Sequence, residues 1–234
     1  MKASIRSNGL ALAGFAAVCT LLVSLVNYFT KDTIAEQKQQ LLMQQLNLLL
    51  PAGSYNNPLD TDCILVSDQP LLGSDKPQQL YRARLDQQPV AAVIQTTAPN
   101  GYSGSIQLMM AVDLQGNISG VRVLSHKETP GLGDKIDERK SDWILSFNNQ
   151  QVKGEDDKRW AVKKDDGMFD QFTGATITPR AVVQAVKNTA LYFKANQQEL
   201  FAAPANCADT VPNTQAPAPN NATGNATGNT GGQS

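Results

Sequence analysis

The sequence predicts an α+β protein in which one N-terminal transmembrane helix and a stalk lead into a single domain with a mainly antiparallel sheet flanked by helices. Three observations carry that reading: an uncharged apolar run at Gly9–Phe29, a series of alternating and β-branched segments between residues 80 and 124, and a helix start at Thr178-Pro179 followed by helical apolar spacing. A length of 234 residues allows one domain of ordinary size plus appendages.

The run GLALAGFAAVCTLLVSLVNYF holds 21 residues, which at about 1.5 Å each would span a hydrocarbon core of about 30 Å. Its length argues for an uncleaved anchor over a signal peptide, whose apolar stretch covers only about 7 to 15 residues. The residues before Cys19 also lack the Leu-plus-small pattern expected for lipoprotein cleavage. Lys2 and Arg6 precede the run with no acid to offset them, whereas its other flank mixes Lys31 and Lys38 with Asp32 and Glu36. By the positive-inside rule, residues 1–8 are expected in the cytoplasm, 9–29 in the membrane, and everything beyond on the outer face. For a bacterial chain that is the periplasmic side of the inner membrane.

Residues 30–50 continue as a stalk rich in helix formers, with Ile34, Leu41, Leu42, Gln45, Leu46 and Leu49 near one stripe and Pro51 as its stop. The simpler expectation for that face is packing on its own domain, with a partner subunit as the alternative. The domain is assigned to 51–203. Within it, Leu80–Leu85 alternates, Val90–Thr97 is β-branched, and Ser105–Val112 puts Ile106, Leu108, Met110 and Val112 on one face. Gln115-Gly116-Asn117 marks a turn before a returning strand at Ile118–Leu124. Asp134–Asn148 is expected to be helical, with Ile136, Trp143 and Phe147 as core residues, and Trp160–Lys163 to form one more strand. The run Lys153–Asp166 mixes charge signs and is expected to be mostly a solvated surface. Thr178 as N-cap and Pro179 in the first turn open a last helix whose Val182, Val186, Ala190 and Phe193 face the sheet. Residues 204–234 shift to Asn, Thr, Ala, Pro and Gly with a NATG repeat, a composition expected to stay disordered.

Charge and cysteine content narrow the function classes. With 20 basic and 21 acidic residues there is no overall field for nucleic acid. The three cysteines, Cys19, Cys63 and Cys207, and the single His126 lack the paired spacing of a zinc site, so no metal is expected. A Cys63–Cys207 disulfide stays open, conditional on an oxidising compartment, since Cys19 would lie in lipid. His126 at a strand end reads as a structural hydrogen-bonding group.

The chemically informative segment is Asp170–Pro179, DQFTGATITP, where Gly174 and Ala175 separate the hydroxyls of Thr173 and Thr176. Small residues let another active site approach the backbone closely. A threonine hydroxyl is a weak nucleophile without a base, and no histidine lies nearby in the sequence. Thr176 therefore suits the role of modified acceptor better than that of catalyst, and no catalytic residue is assigned. It also stands just ahead of a helix N-terminus, where unpaired N–H groups favour phosphate. On these grounds alone a capped loop is the simpler reading. A second segment, Glu128–Gly133 (ETPGLG), is a rigid loop poor in side chains whose amides could approach a planar ring, or simply a turn between a strand and the next helix.

Asp170, Thr173, Gly174, Ala175 and Thr176 match the Asp-x-x-[Ser/Thr]-Gly-Ala-[Thr/Ser] motif, and in this the chain resembles the FMN-binding domains of Rnf/Rsx and sodium-pumping NADH:quinone oxidoreductase complexes. The stretch His126–Ile136, HKETPGLGDKI, is similar to one characteristic of the G-subunit family of Rnf/Rsx electron-transport complexes, and the likeness extends over roughly residues 1–200. The resemblance implies FMN joined by a phosphoester to Thr176, placed there by a separate flavin transferase that uses FAD. It implies Thr129, Gly131, Leu132 and Gly133 as lining for the flavin ring, with Gly101-Tyr102-Ser103-Gly104 nearby. The implied function is an electron-relaying subunit of a complex that couples electron transfer to ion movement across the inner membrane. Its implied partners are other membrane and iron–sulfur subunits. Two alternatives stand beside it: the flavinylated subunit of a sodium-pumping quinone reductase, and a membrane-tethered assembly module without cofactor.

Overall fold

A computed structural model describes residues 2–51 and 53–207. Helix α1 runs unbroken through Lys2–Leu49. Its Asn8–Lys31 segment is exposed throughout and is long and apolar enough to cross a bilayer. The helix stops where Pro51 follows, because proline disfavours helical geometry in the residue before it.

Among the described residues the domain is built on one sheet of six strands in sequential order, every neighbouring pair antiparallel: β1 (Cys63–Val66), β2 (Gln78–Leu85), β3 (Gln88–Gly101), β4 (Gly104–Asp113), β5 (Asn117–Ser125) and β6 (Gln150–Gln151). A short helix α2 (Gln69–Leu72) joins β1 to β2, and helix α3 (Ile177–Ala202) closes the domain. Both faces of the sheet are covered. Ile106, Leu108, Met110 and Val112 of β4 point to the face that meets Val182, Val186 and Phe193 of α3, as their alternation predicts. Met109 and Ala111 point the other way, onto Leu46, Leu49, Leu50 and Leu59. The stalk's lower face therefore packs on its own domain, while Ile34 and Leu41 higher up stay exposed. Gly120 of β5 makes that docking close: a Cβ there would come within 2.9 Å of Leu49 Cδ2.

Cys63 and Cys207 form a disulfide across a sequence separation of 144 residues, which realises the pairing the sequence left open. It ties the segment after α3 to edge strand β1. The tail from residue 208 onward, with its NATG repeat, lies outside the described residues.

Three local expectations are corrected. Asp134–Asn148 is not one helix but two 3-10 turns, Gly133–Ile136 and Asp142–Phe147. Asp137 leaves helical geometry and its carboxylate accepts from the backbone N–H and guanidinium of Arg139, while Ser141 caps the second turn by accepting from Trp143 N–H. Such side-chain bonds compete with the helical ladder and break it. Ile136, Trp143 and Phe147 are nonetheless in the core. Trp160–Lys163 forms no strand; only Val162 makes a bridge, to Phe169, because Trp160 turns inward against Phe147 and Phe169 at 6.0 and 5.2 Å between ring centres. Finally, α3 begins at Ile177 with Thr176 at the N-cap, two residues earlier than predicted. Thr178 does not cap, because its hydroxyl is engaged elsewhere. Pro179 is tolerated as the third helical residue, where a first-turn N–H would have no helical partner.

Candidate flavin-attachment site

Three loops converge at the N-terminus of α3. The first is the two-residue turn between β3 and β4, closed by the pairing of Gly101 with Gly104. The second is Glu128–Gly133, which curls tightly because the N–H groups of Leu132 and Gly133 donate to the Thr129 carbonyl at 3.2 and 3.1 Å. Gly131, at φ 77°, supplies the left-handed step that this curl requires. The third is Asp170–Thr176.

The third loop is held from behind and open in front. The Trp143 indole N–H donates to the Asp170 carbonyl at 2.7 Å, and Phe172 is buried edge-on against the same indole at 5.1 Å. Phe172 to Ala175 is a hydrogen-bonded turn, Ala175 N–H to Phe172 O at 3.1 Å, with Gly174 at φ 82° in its third position. That is the place where such a turn demands glycine. Thr173 and Gly174 are exposed and Ala175 and Thr176 half-buried. Thr176 has helical dihedrals, φ −86° and ψ −21°, and its side chain makes no capping hydrogen bond. Its hydroxyl thus stands at the positive end of a 26-residue helix without the usual task of an N-cap threonine.

The structure brings two of the predicted segments together. A Cβ on Gly174 would lie 3.4 Å from Leu132 Cδ2, so the Thr129–Gly133 loop borders the attachment turn directly. Thr129 and Gly131 are exposed, Leu132 is 42% exposed, and Gly133 is buried. Asp170 stands apart: its carboxylate pairs with Lys163 at 2.6 Å on the open surface, and its contribution to the loop is its backbone carbonyl. His126 has the structural role expected, accepting the Glu128 backbone N–H on Nδ1 at 3.1 Å.

Sequence reasoning placed Glu128 and Ser103 only within segments near the site and read Thr178 as a helix cap; it missed the hydrogen bonds that join the three. The Glu128 carboxylate, 5% exposed, accepts from Ser103 N–H at 3.0 Å and from the Thr178 hydroxyl at 2.6 Å. The signal that could have found it was an acidic residue in a loop otherwise made of threonine, proline, glycine and leucine. Its partners, 25 and 50 residues away, were not visible in the string.

A flavin phosphate fits this arrangement: an unengaged threonine hydroxyl, a helix N-terminus and an adjoining apolar, half-exposed Leu132 meet at one open surface. In keeping with that fit, the FMN-binding domain family matches residues 101–190, a span that contains all three converging loops. The RnfG N-terminal region family matches residues 1–49, the whole of the long helix. Over 207 residues the chain is 56% identical to the G subunit of the ion-translocating oxidoreductase complex of Pseudoalteromonas atlantica, covering 88% of this chain and 96% of the relative. The corresponding G subunits of Shewanella loihica and Yersinia pestis are each 54% identical, over 88% and 87% of this chain and 98% and 97% of their own lengths. The chain belongs to the family of G subunits of ion-translocating oxidoreductase complexes.

Proposed function

We propose that this chain is the flavin-carrying subunit of a membrane-bound complex that couples electron transfer to ion translocation, with FMN joined through a phosphoester to Thr176. The observation that carries the proposal is the half-buried Thr176 hydroxyl, free of capping duty, at the N-terminus of α3 inside the DQFTGAT motif. In the attachment step the Thr176 Oγ forms a bond to the FMN phosphorus of FAD as the pyrophosphate bond breaks. AMP leaves, and the hydroxyl proton passes to a base of the transferase; nothing is oxidised or reduced. Thr173, Gly174 and Ala175 give that enzyme a low, exposed turn to approach. The first-turn N–H groups of α3 would hold the phosphate, and Thr129, Leu132 and the backbone of Gly131 and Gly133 would border the ring. When bound, FMN supplies one-electron and two-electron transfer, while the protein supplies position and environment.

The proposed organisation is a cytoplasmic N-terminus, a span at 9–29, a stalk at 30–50 and a periplasmic domain at 51–203. The Cys63–Cys207 disulfide supports that side of the membrane, since such bonds persist in oxidising compartments. Partners are the other membrane and iron–sulfur subunits and the flavin transferase. Co-expression with a flavin transferase should yield a fluorescent band for the denatured chain on a gel, and Thr176→Ala should abolish it. A band retained in Thr176→Ala would overturn the assignment, and no band with the native sequence would favour an assembly module without cofactor.

A further inference from the structure

We propose that Glu128 is the positioning residue of this site. Its buried carboxylate bolts the β3–β4 turn and the Thr129–Gly133 loop to the first turn of α3, fixing the distance between the phosphate anchor and the ring seat. The inference rests on the reading of Thr176 as the attachment point.

The geometry is that of a three-way bolt. Oε1 accepts from Ser103 N–H in the first loop, and Oε2 accepts from the Thr178 hydroxyl two residues beyond the attachment threonine. The Glu128 backbone begins the second loop. Space for the carboxylate is left by two glycines, one on each side. A Cβ on Gly101 would come within 2.9 Å of Oε1, and a Cβ on Gly133 within 2.7 Å of Oε2. At Gly101 the Gly104 carbonyl, 2.3 Å from such a Cβ, excludes a side chain first; at Gly133 a side chain would press on the carboxylate itself and on the Thr178 hydroxyl at 2.9 Å, so Gly133 is the position whose lack of a side chain leaves Glu128 on its donors. Among the described residues no lysine or arginine pairs with Glu128, so its oxygens are satisfied by these two loops rather than by a cation. Leu132 lies close to Gly174, where an added Cβ would come within 3.4 Å of Leu132 Cδ2, so any slip of the second loop relative to α3 moves the ring seat relative to Thr176.

The test uses the full-length chain in detergent with a flavin transferase and FAD, comparing native protein, Glu128→Ala, Glu128→Gln and Thr178→Val. Two quantities are read: the rate of flavin attachment, and the visible circular dichroism of the attached flavin, which reports how firmly the ring is held. Glu128→Ala should attach flavin about tenfold more slowly, equivalent to about 1.4 kcal/mol, and lose most of the dichroism. Glu128→Gln should restore most of both, because its amide oxygen still accepts from Ser103 N–H and its amide NH2 donates to the Thr178 oxygen. A residue that merely stabilised the fold would lower the melting temperature without changing the dichroism of molecules that remain folded. Folded Glu128→Ala with native dichroism overturns the proposal, as does a Gln variant as poor as Ala, which would implicate charge rather than geometry. If Glu128→Ala does not fold, Thr178→Val decides: weakened dichroism supports the bolt and unchanged dichroism rejects it. Native protein that takes up no flavin would instead overturn the Thr176 reading itself.

Discussion

The two ends of α3 are built in opposite ways. At its C-terminal end arginines engage three carbonyls: Arg82, 3% exposed, donates to Leu200 O at 3.1 Å and Ala203 O at 2.5 Å, and Arg84 donates to Phe201 O at 3.1 Å. Both arginines are held in turn by Asp62, at 2.7 Å from Arg82 Nε and 2.6 Å from Arg84 Nε. Arg84 also lies over the Phe201 ring at 5.6 Å, and the Cys63–Cys207 bond follows a few residues on. At its N-terminal end the cap residue's side chain is idle, two small residues precede it, and the turn at Thr173 and Gly174 faces solvent. One end spends its polar groups on stability; the other leaves its cap hydroxyl unused, as the proposed attachment requires. A helix clamped at the far end can present an uncapped near end without fraying, because cationic donors there match the negative pole of the helix dipole.

The largest effect should come from the latch. Replacing Cys63 and Cys207 together by Ser should destabilise the domain by about 5 kcal/mol, the loop-entropy expectation for a closure longer than 100 residues, seen as a lower denaturant midpoint. An unchanged midpoint would mean that the arginines alone hold this end. Next is Arg82→Ala, which takes the donor from two carbonyls and one of the two arginines from Asp62, and should cost roughly 3 kcal/mol by the same measurement. A loss no larger than that of an exposed ion pair would break the comparison. The smallest effect belongs to the open end. Arg180 and Asp165 form an exposed pair at 2.6 Å beside the first turn of α3, and Arg180 holds the Asp165 carboxyl below its ordinary range. Because that carboxyl's pKa is depressed in the folded state, its contribution is present at neutral pH and is lost as pH falls through the acid range. Exposure and screening leave it weak, so Arg180→Gln should not shift the neutral-pH midpoint measurably.

Much of the fold was legible because period-two alternation and β-branching are local signals, as β4 demonstrates with Ile106, Leu108, Met110 and Val112 all on the α3 face. The β2–β3 hairpin was harder to see: its turn residues Asp86 and Gln87 both adopt positive φ without a glycine, helped by paired hydrogen bonds between the Asn56 and Asp86 segments. The expected helix at Asp134–Asn148 failed for a related reason, since the competing bonds of Asp137 and Ser141 outweigh an apolar pattern. For the site, the Thr-Gly-Ala-Thr motif and the ETPGLG loop were legible as strings. Their meeting at Leu132 and Gly174 was not, and neither was the carboxylate between them, because the contacts that define Glu128 are long-range.

The most direct test of the central claim is peptide mass spectrometry on the chain matured with its transferase and then denatured. Tryptic cleavage after Lys164 and Arg180 releases one peptide with three threonines, Thr173, Thr176 and Thr178. Fragmentation should place an FMN-sized adduct on Thr176 and leave the other two unmodified. An adduct on Thr173, on Thr178 or outside this peptide would contradict the account.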